Sequence, residues 1–83
     1  MEIKILGTGC PKCKTLEKMT REVVIKNGIN TSITKVEDIM EIMKFGVMTT
    51  PALVVDGIVL LKGKVPTESE LTILLMNTLS INL

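Results

Sequence analysis

The 83-residue chain is nearly without aromatic side chains: Phe45 is the only one, and Trp, Tyr and His are absent. Single-stranded nucleic acids are held on aromatic platforms, so that class of function loses its usual means. An excess of either charge is missing too. Ten Lys and Arg stand against nine Asp and Glu, a net charge of +1, scattered along the chain rather than gathered into a basic footprint for DNA or an anionic bilayer. No apolar run approaches the roughly 20 residues that span a membrane. The opening Met1-Glu-Ile-Lys-Ile-Leu6 has no long apolar stretch of a signal peptide. The expectation is a cytoplasmic protein with no nucleic-acid or membrane partner.

Cysteine is scarce, and its placement is informative. The chain has two, Cys10 and Cys13. A bridge across so short a gap removes little entropy from the unfolded chain, and small secreted domains use several longer bridges. These two are a poor staple and need another explanation.

Aliphatic residues are abundant. The chain is 46% hydrophobic, mostly Ile, Leu, Val and Met, which excludes intrinsic disorder. The length allows one domain, 1–83. Ile3, Ile5 and Leu6 before Gly7-Thr-Gly9 read as a buried first strand. A helix follows from about Pro11 to Asn27, with Leu16, Met19, Val23 and Lys26 at helical spacing and Glu17, Lys18, Arg21 and Glu22 on a solvated face; Asn27-Gly28 supplies its left-handed C-terminal cap. Ile29 to Val36 is rich in β-branched residues and reads as a second strand. Glu37 and Asp38 sit where acids favour a helix start, and Ile39, Ile42 and Met43 give a short amphipathic helix that stops at Gly46.

Thr49-Thr-Pro51 is a break. Ala52 to Leu61 is two apolar runs joined at Asp56-Gly57, a strong hairpin signal. Thr67 and Glu70 make a capping box for a last helix that turns Leu71, Leu74, Leu75 and Thr78 to one side. The order is β-α-β-α-β-β-α. A helix between the first two strands favours parallel pairing, and the hairpin is antiparallel. The fold class is α/β, with a four-stranded mixed sheet flanked by helices.

The cysteines fall at the start of the first helix. Cys10 takes the N-cap and Pro11 the first helical position, where a missing N–H costs nothing. Cys13 lies one turn on, on the same face, within the separation a disulfide tolerates. Unpaired N–H groups at a helix start favour an anion by up to about 2 kcal/mol, or ~1.5 pKa units. Lys12 and Lys14 act in the same direction, so Pro11 and Lys12 tune the site. Cys10 is then the attacking thiolate, and the less accessible Cys13 resolves the mixed disulfide. A closed zinc site needs four N or S ligands. With two Cys and no His, only a site shared between subunits or one recruiting carboxylates would serve.

With strand, Cys10-Pro-Lys-Cys13 and helix in this order, and with Thr50-Pro51, the hairpin, Gly63 and a last helix after them, the chain resembles the thioredoxin-like fold over nearly its whole length. It is most similar to small glutaredoxin-like redox-active disulfide proteins of anaerobic bacteria and archaea, through Phe45-Gly-Val-Met-Thr-Thr-Pro-Ala-Leu-Val-Val-Asp-Gly57 and Gly63-Lys-Val-Pro66. The resemblance implies a thiol–disulfide oxidoreductase, a protein-disulfide reductase with no cofactor beyond the Cys10–Cys13 disulfide. It implies partners that are disulfide-bearing proteins and a thioredoxin-reductase-like electron donor. It also implies a cis-proline at Pro51 facing the disulfide, substrate pairing through the backbone of Thr50, and substrate clearance at Gly63. Without it, Pro51 reads as the start of an edge strand. Two departures stand out: the thioredoxin Trp-Cys-Gly-Pro-Cys is absent, and no acid in the first strands serves as proton relay.

The alternative is a soft-metal carrier or redox-sensing adaptor, since two thiolates suit Cu(I). Copper carriers of this kind follow their first helix with strand, strand, helix, strand, and lack Thr50-Pro51. Gly7-Thr-Gly9 reads as a flexible turn through which a partner's backbone reaches Cys10. The Met residues read as core filler, with Met48 a candidate for the rim of the active face. Ile73 and Met76 lie off the main apolar face of the last helix, which fits a monomer or weak homodimer, or a helix sandwiched on both sides.

Overall fold

The computed structural model describes residues 1–81. Its elements are β1 (Glu2–Leu6), α1 (Pro11–Lys26), β2 (Ser32–Val36), α2 (Ile39–Met43), β3 (Ala52–Val55), β4 (Ile58–Lys62) and α3 (Glu68–Ile81). The sheet order is β2-β1-β3-β4. β1 pairs parallel with β2, from Glu2 opposite Ser32 to Leu6 opposite Val36. β1 pairs antiparallel with β3, from Ile3 opposite Val55 to Leu6 opposite Ala52.

Alternation along the two central strands divides the interior. Ile3 and Ile5 of β1 and Leu53 and Val55 of β3 face Leu16 and Val23 of α1 and Leu71 and Leu75 of α3. The opposite face is smaller: Leu6, Ala52 and Val54 meet Ile42 of α2 and Val47. Lys4 also faces this side, its ammonium 5.3 Å from the centre of the Phe45 ring, where cation–π attraction helps hold a half-buried charge.

The chain reverses where local chemistry directs it. Gly28 has φ +61, and Ile29 N–H donates to Val24 O while Gly28 N–H donates to Ile25 O, the paired bonds of a Schellman stop. Asp56 and Gly57 both have positive φ, 50 and 83, as a two-residue hairpin turn of the primed type requires. Thr67 and Glu70 form the expected box, each backbone N–H donating 3.2 Å to the other's side chain. Lys26, at the end of α1, meets Glu68 at the start of α3 at 2.6 Å, and this contact raises the lysine's pKa.

The observed boundaries and burial correct five expectations. Asn27 is the C-cap of α1, not its last residue. β2 starts at Ser32 rather than Ile29, because Ile29 drops into the core after the Schellman turn and Thr31 Oγ1 donates to Met1 O. Pro51 leads into a strand with neighbours on both sides, so it does not start an edge strand. In α2 only Ile42 is buried, while Ile39 and Met43 are exposed. A five-residue helix N-capped by Asp38 turns one position inward per turn and has no second turn to repeat it. Ile73 and Met76 are exposed too, so α3 is covered on one side, not sandwiched. β4 carries a bulge at Leu60, where the register steps from Leu61 to Val59.

Replacing Thr67 by Ala should lower stability by about 1 kcal/mol in urea unfolding at neutral pH. Hydrogen bonds from the Thr67 backbone and side chain lower the pKa of Glu70. Its contribution is therefore full above the unfolded value of about 4.3 and is lost as pH falls through the folded value. The Thr67→Ala deficit should narrow over that acid range.

Candidate active site

β1 ends against two neighbours, and its last bonds aim the loop that follows. Gly7 N–H donates to Val36 O at 2.9 Å, so the chain stays on the sheet for one residue beyond Leu6. The Thr8-Gly9 turn, with Gly9 at φ +88, then lifts it to the start of α1. Cys10 is the N-cap, with φ −69 and ψ 162. Its carbonyl accepts the first helical bond from Lys14 N–H at 3.1 Å, and its Sγ accepts from Cys13 N–H at 3.3 Å. The sulfur thus takes up one of the N–H groups that a helix start leaves unpaired.

Cys10 and Cys13 are joined as a disulfide, with Cα atoms 5.1 Å apart. Cys13 is 6% exposed, Cys10 is half-buried, and Pro11 and Lys12 are exposed beside them. A partner therefore meets the Cys10 side of the bridge first.

Gly7 departs from the flexible-turn reading. It is buried, and a Cβ placed on it would lie 2.8 Å from Cys13 Cβ and closer still to Cys13 Sγ. The missing side chain is space occupied by the inner thiol, not an opening for a partner. A glycine at the end of a buried strand was the visible signal; which residue fills the gap depends on tertiary packing.

The start of β3 lies alongside. The register that sets Leu6 opposite Ala52 brings Pro51 next to the Gly7 end of β1. The Thr50–Pro51 peptide bond is cis, and Pro51 is buried. Its carbonyl accepts from Gly63 N–H at 2.8 Å. Gly63 has φ +75, and a Cβ there would lie 3.1 Å from Thr49 Oγ1. Its freedom thus serves the turn after β4 and the close approach of Thr49. Thr50 is half-buried and shares a groove with Thr8 and Met48. The structure thus gathers Cys10, Cys13, Thr50 and Pro51 at one end of the sheet, with Gly63 bonded behind Pro51.

An acid reaches the loop from the end of β2. Glu37 Oε2 lies 3.7 Å from the place a Gly9 Cβ would take, and its other oxygen is 3.9 Å from Lys35 Nζ. Among the described residues, no three His, Cys, Asp or Glu side chains come together as a metal ligand set, and no helix is long and apolar enough to cross a membrane. The element order also differs from that of the copper carriers, since the helix α2 follows β2.

The thioredoxin domain family matches residues 1–76. A thioredoxin of Methanothermobacter thermautotrophicus is 38% identical over 71 residues, covering 86% of this chain and 92% of that protein. A thioredoxin of Methanocaldococcus jannaschii is 38% identical over 69 residues, 83% of this chain and 79% of that one. A probable thioredoxin of Archaeoglobus fulgidus is 38% identical over 65 residues, 75% and 70% of the two chains.

Gly7→Ala should destabilise the protein by about 1–3 kcal/mol, the usual cost of overfilling a packed site. In a Cys13→Ala background, which removes the closest atom, the cost should be at least about 1 kcal/mol smaller. A double-mutant cycle by denaturant unfolding reads this coupling.

Proposed function

The chain belongs to the thioredoxin domain family and is a thiol–disulfide oxidoreductase, and we propose that it acts as a single domain reducing disulfides of partner proteins in the cytoplasm. The observation that carries this reading is the unequal setting of the two sulfurs: Cys10 Sγ accepts the Cys13 N–H at the half-buried N-cap of α1, while Cys13 is buried against Gly7.

In the reduced protein the Cys10 thiolate attacks one sulfur of the partner's disulfide. A mixed disulfide forms, and the partner's other sulfur leaves as a thiolate that takes a proton from solvent. Cys13, deprotonated in its turn, attacks Cys10 Sγ. The mixed bond breaks, the Cys10–Cys13 bridge forms, and the partner departs as a dithiol carrying two electrons. A thioredoxin-reductase-like donor returns two electrons to the couple. Exchange of this kind needs no cofactor beyond the two sulfurs.

The backbone at Thr50 pairs with an extended segment of the partner, with Pro51 beside the sulfurs and Gly63 holding the Pro51 carbonyl. Pro11 fixes the first turn of α1, and Lys12 adds positive potential near Cys10. The working form is a monomer or weak homodimer.

Reduction of insulin disulfides in the presence of dithiothreitol tests the reading. Cys10→Ser should fall to the background rate. Cys13→Ser should lose turnover yet accumulate a covalent mixed disulfide with its partner, visible on a non-reducing gel. Full activity in Cys10→Ser overturns the mechanism.

A further inference from the structure

A helix start attracts negative charge, yet α1 places no acid in its own first turn. A carboxylate reaches that end of the helix from another element. Glu37, the residue after β2, has Oε2 3.7 Å from the place a Gly9 Cβ would take. Gly9 immediately precedes Cys10. With consecutive Cα atoms about 3.8 Å apart, this charge lies within roughly 9 Å of the Cys10 Cα. A row of alternating charges holds it there. Arg21 is 3.1 Å from Glu17, Glu17 is 3.5 Å from Lys35 Nζ, and Lys35 Nζ is 3.9 Å from Glu37 Oε1. Lys35 is shared by two carboxylates and sits nearer Glu17, so it neutralises Glu37 only in part. The Glu37 oxygen that faces Gly9 is the one not paired with Lys35.

The other charges around Cys10 are of different kinds. Lys12 and Lys14 belong to α1, and Lys62 ends β4 opposite Ala52. Asp38, next to Glu37, is engaged at the start of α2, where its carboxylate accepts Met40 N–H at 2.9 Å. The two redox states treat Glu37 differently. In the disulfide neither sulfur is charged, and the helix start favours the carboxylate. In the reduced protein the Cys10 thiolate takes the same end of the helix, and two anions oppose each other. Glu37 therefore disfavours the thiolate, and with it the reduced form, against the disulfide. A dithiol whose reduced form is less stabilised is the stronger reductant.

We propose that Glu37 acts through Cys10 to set the potential of the couple, holding it on the reducing side, and that Lys35 limits the effect. This rests on the reading that Cys10 is the attacking thiolate. Glu37 touches neither sulfur nor partner; it changes how far the thiolate is favoured over the bridge.

Equilibration of the reduced protein with glutathione disulfide tests it. The protein gives up two electrons and two protons, the glutathione S–S bond breaks into two thiols, and the Cys10–Cys13 bridge forms. The equilibrium is read at about pH 8 and about 10 mM salt, where charges interact over about 30 Å. There Glu37→Gln should lower the equilibrium constant for oxidation of the protein by on the order of two- to threefold. The iodoacetamide midpoint of Cys10 should move down with it. Lys35→Gln should shift both values the other way. The differences should fade at about 1 M salt, and the difference in equilibrium constant should vanish near about pH 5, where Cys10 is a thiol in every variant. A change in packing alone would show neither dependence. Glu22→Gln, the same charge change roughly 18 Å along α1 from Cys10, should leave both values unmoved, and thermal melts report the folding of each variant. Identical values for Glu37→Gln and the wild type at low salt, a difference that persists at high salt, or an upward shift of the midpoint overturns the proposal. Failure of the wild type to form the Cys10–Cys13 bridge with glutathione disulfide overturns the underlying exchange reading instead.

Discussion

A helix that starts at the end of a sheet leaves backbone N–H groups aimed at whatever sits on its first cap. Here that position is Cys10, whose sulfur accepts the Cys13 N–H, and the other parts of the site follow from how α1 is placed. Parallel pairing of β1 with β2 makes α1 the crossover between them. Its N-terminus must then emerge at the C-terminal edge of β1, beside the start of the antiparallel β3. The bonds that end β1, from Gly7 N–H to Val36 O and across to Ala52, locate Cys10. The same register sets Pro51 alongside.

The second sulfur depends on packing more than on electrostatics. Cys13 lies one turn into α1, on the face turned to the sheet. It fits only because Gly7 has no side chain. Burial of this thiol and partial exposure of Cys10 leave the two sulfurs unequally accessible. Gly63 contributes at one remove, through its bond to the Pro51 carbonyl and its contact with Thr49.

Most of the fold was legible because its signals are local. The Asp56-Gly57 turn, the Gly28 stop, the Thr67–Glu70 box and the placement of Cys10 before Pro11 each depend on a few adjacent residues, and each appears as read. What could not be read depends on distant partners. Ile39 and Met43 carry the apolar spacing of a core helix, yet α2 is too short and its side of the sheet too shallow to bury them. Gly7 reads from its sequence neighbours as part of a flexible turn because the residue that fills its space, Cys13, lies in another element. The start of β2 is hidden for a similar reason, since Ile29 is as β-branched as the strand after it but is claimed by the core below α1. The cis bond before Pro51 was legible only through family resemblance, since local sequence does not dictate it.

Placement at the start of α1 should make Cys10, and not Cys13, the reactive thiol. The most direct measurement is the pH dependence of iodoacetamide alkylation of the fully reduced protein, with peptide mapping to assign the modified cysteine. Cys10 should be alkylated first, with a midpoint below the roughly 8.5 of a free thiol, while Cys13 stays protected. A midpoint at or above that value, or alkylation of Cys13 as fast as of Cys10, would contradict it.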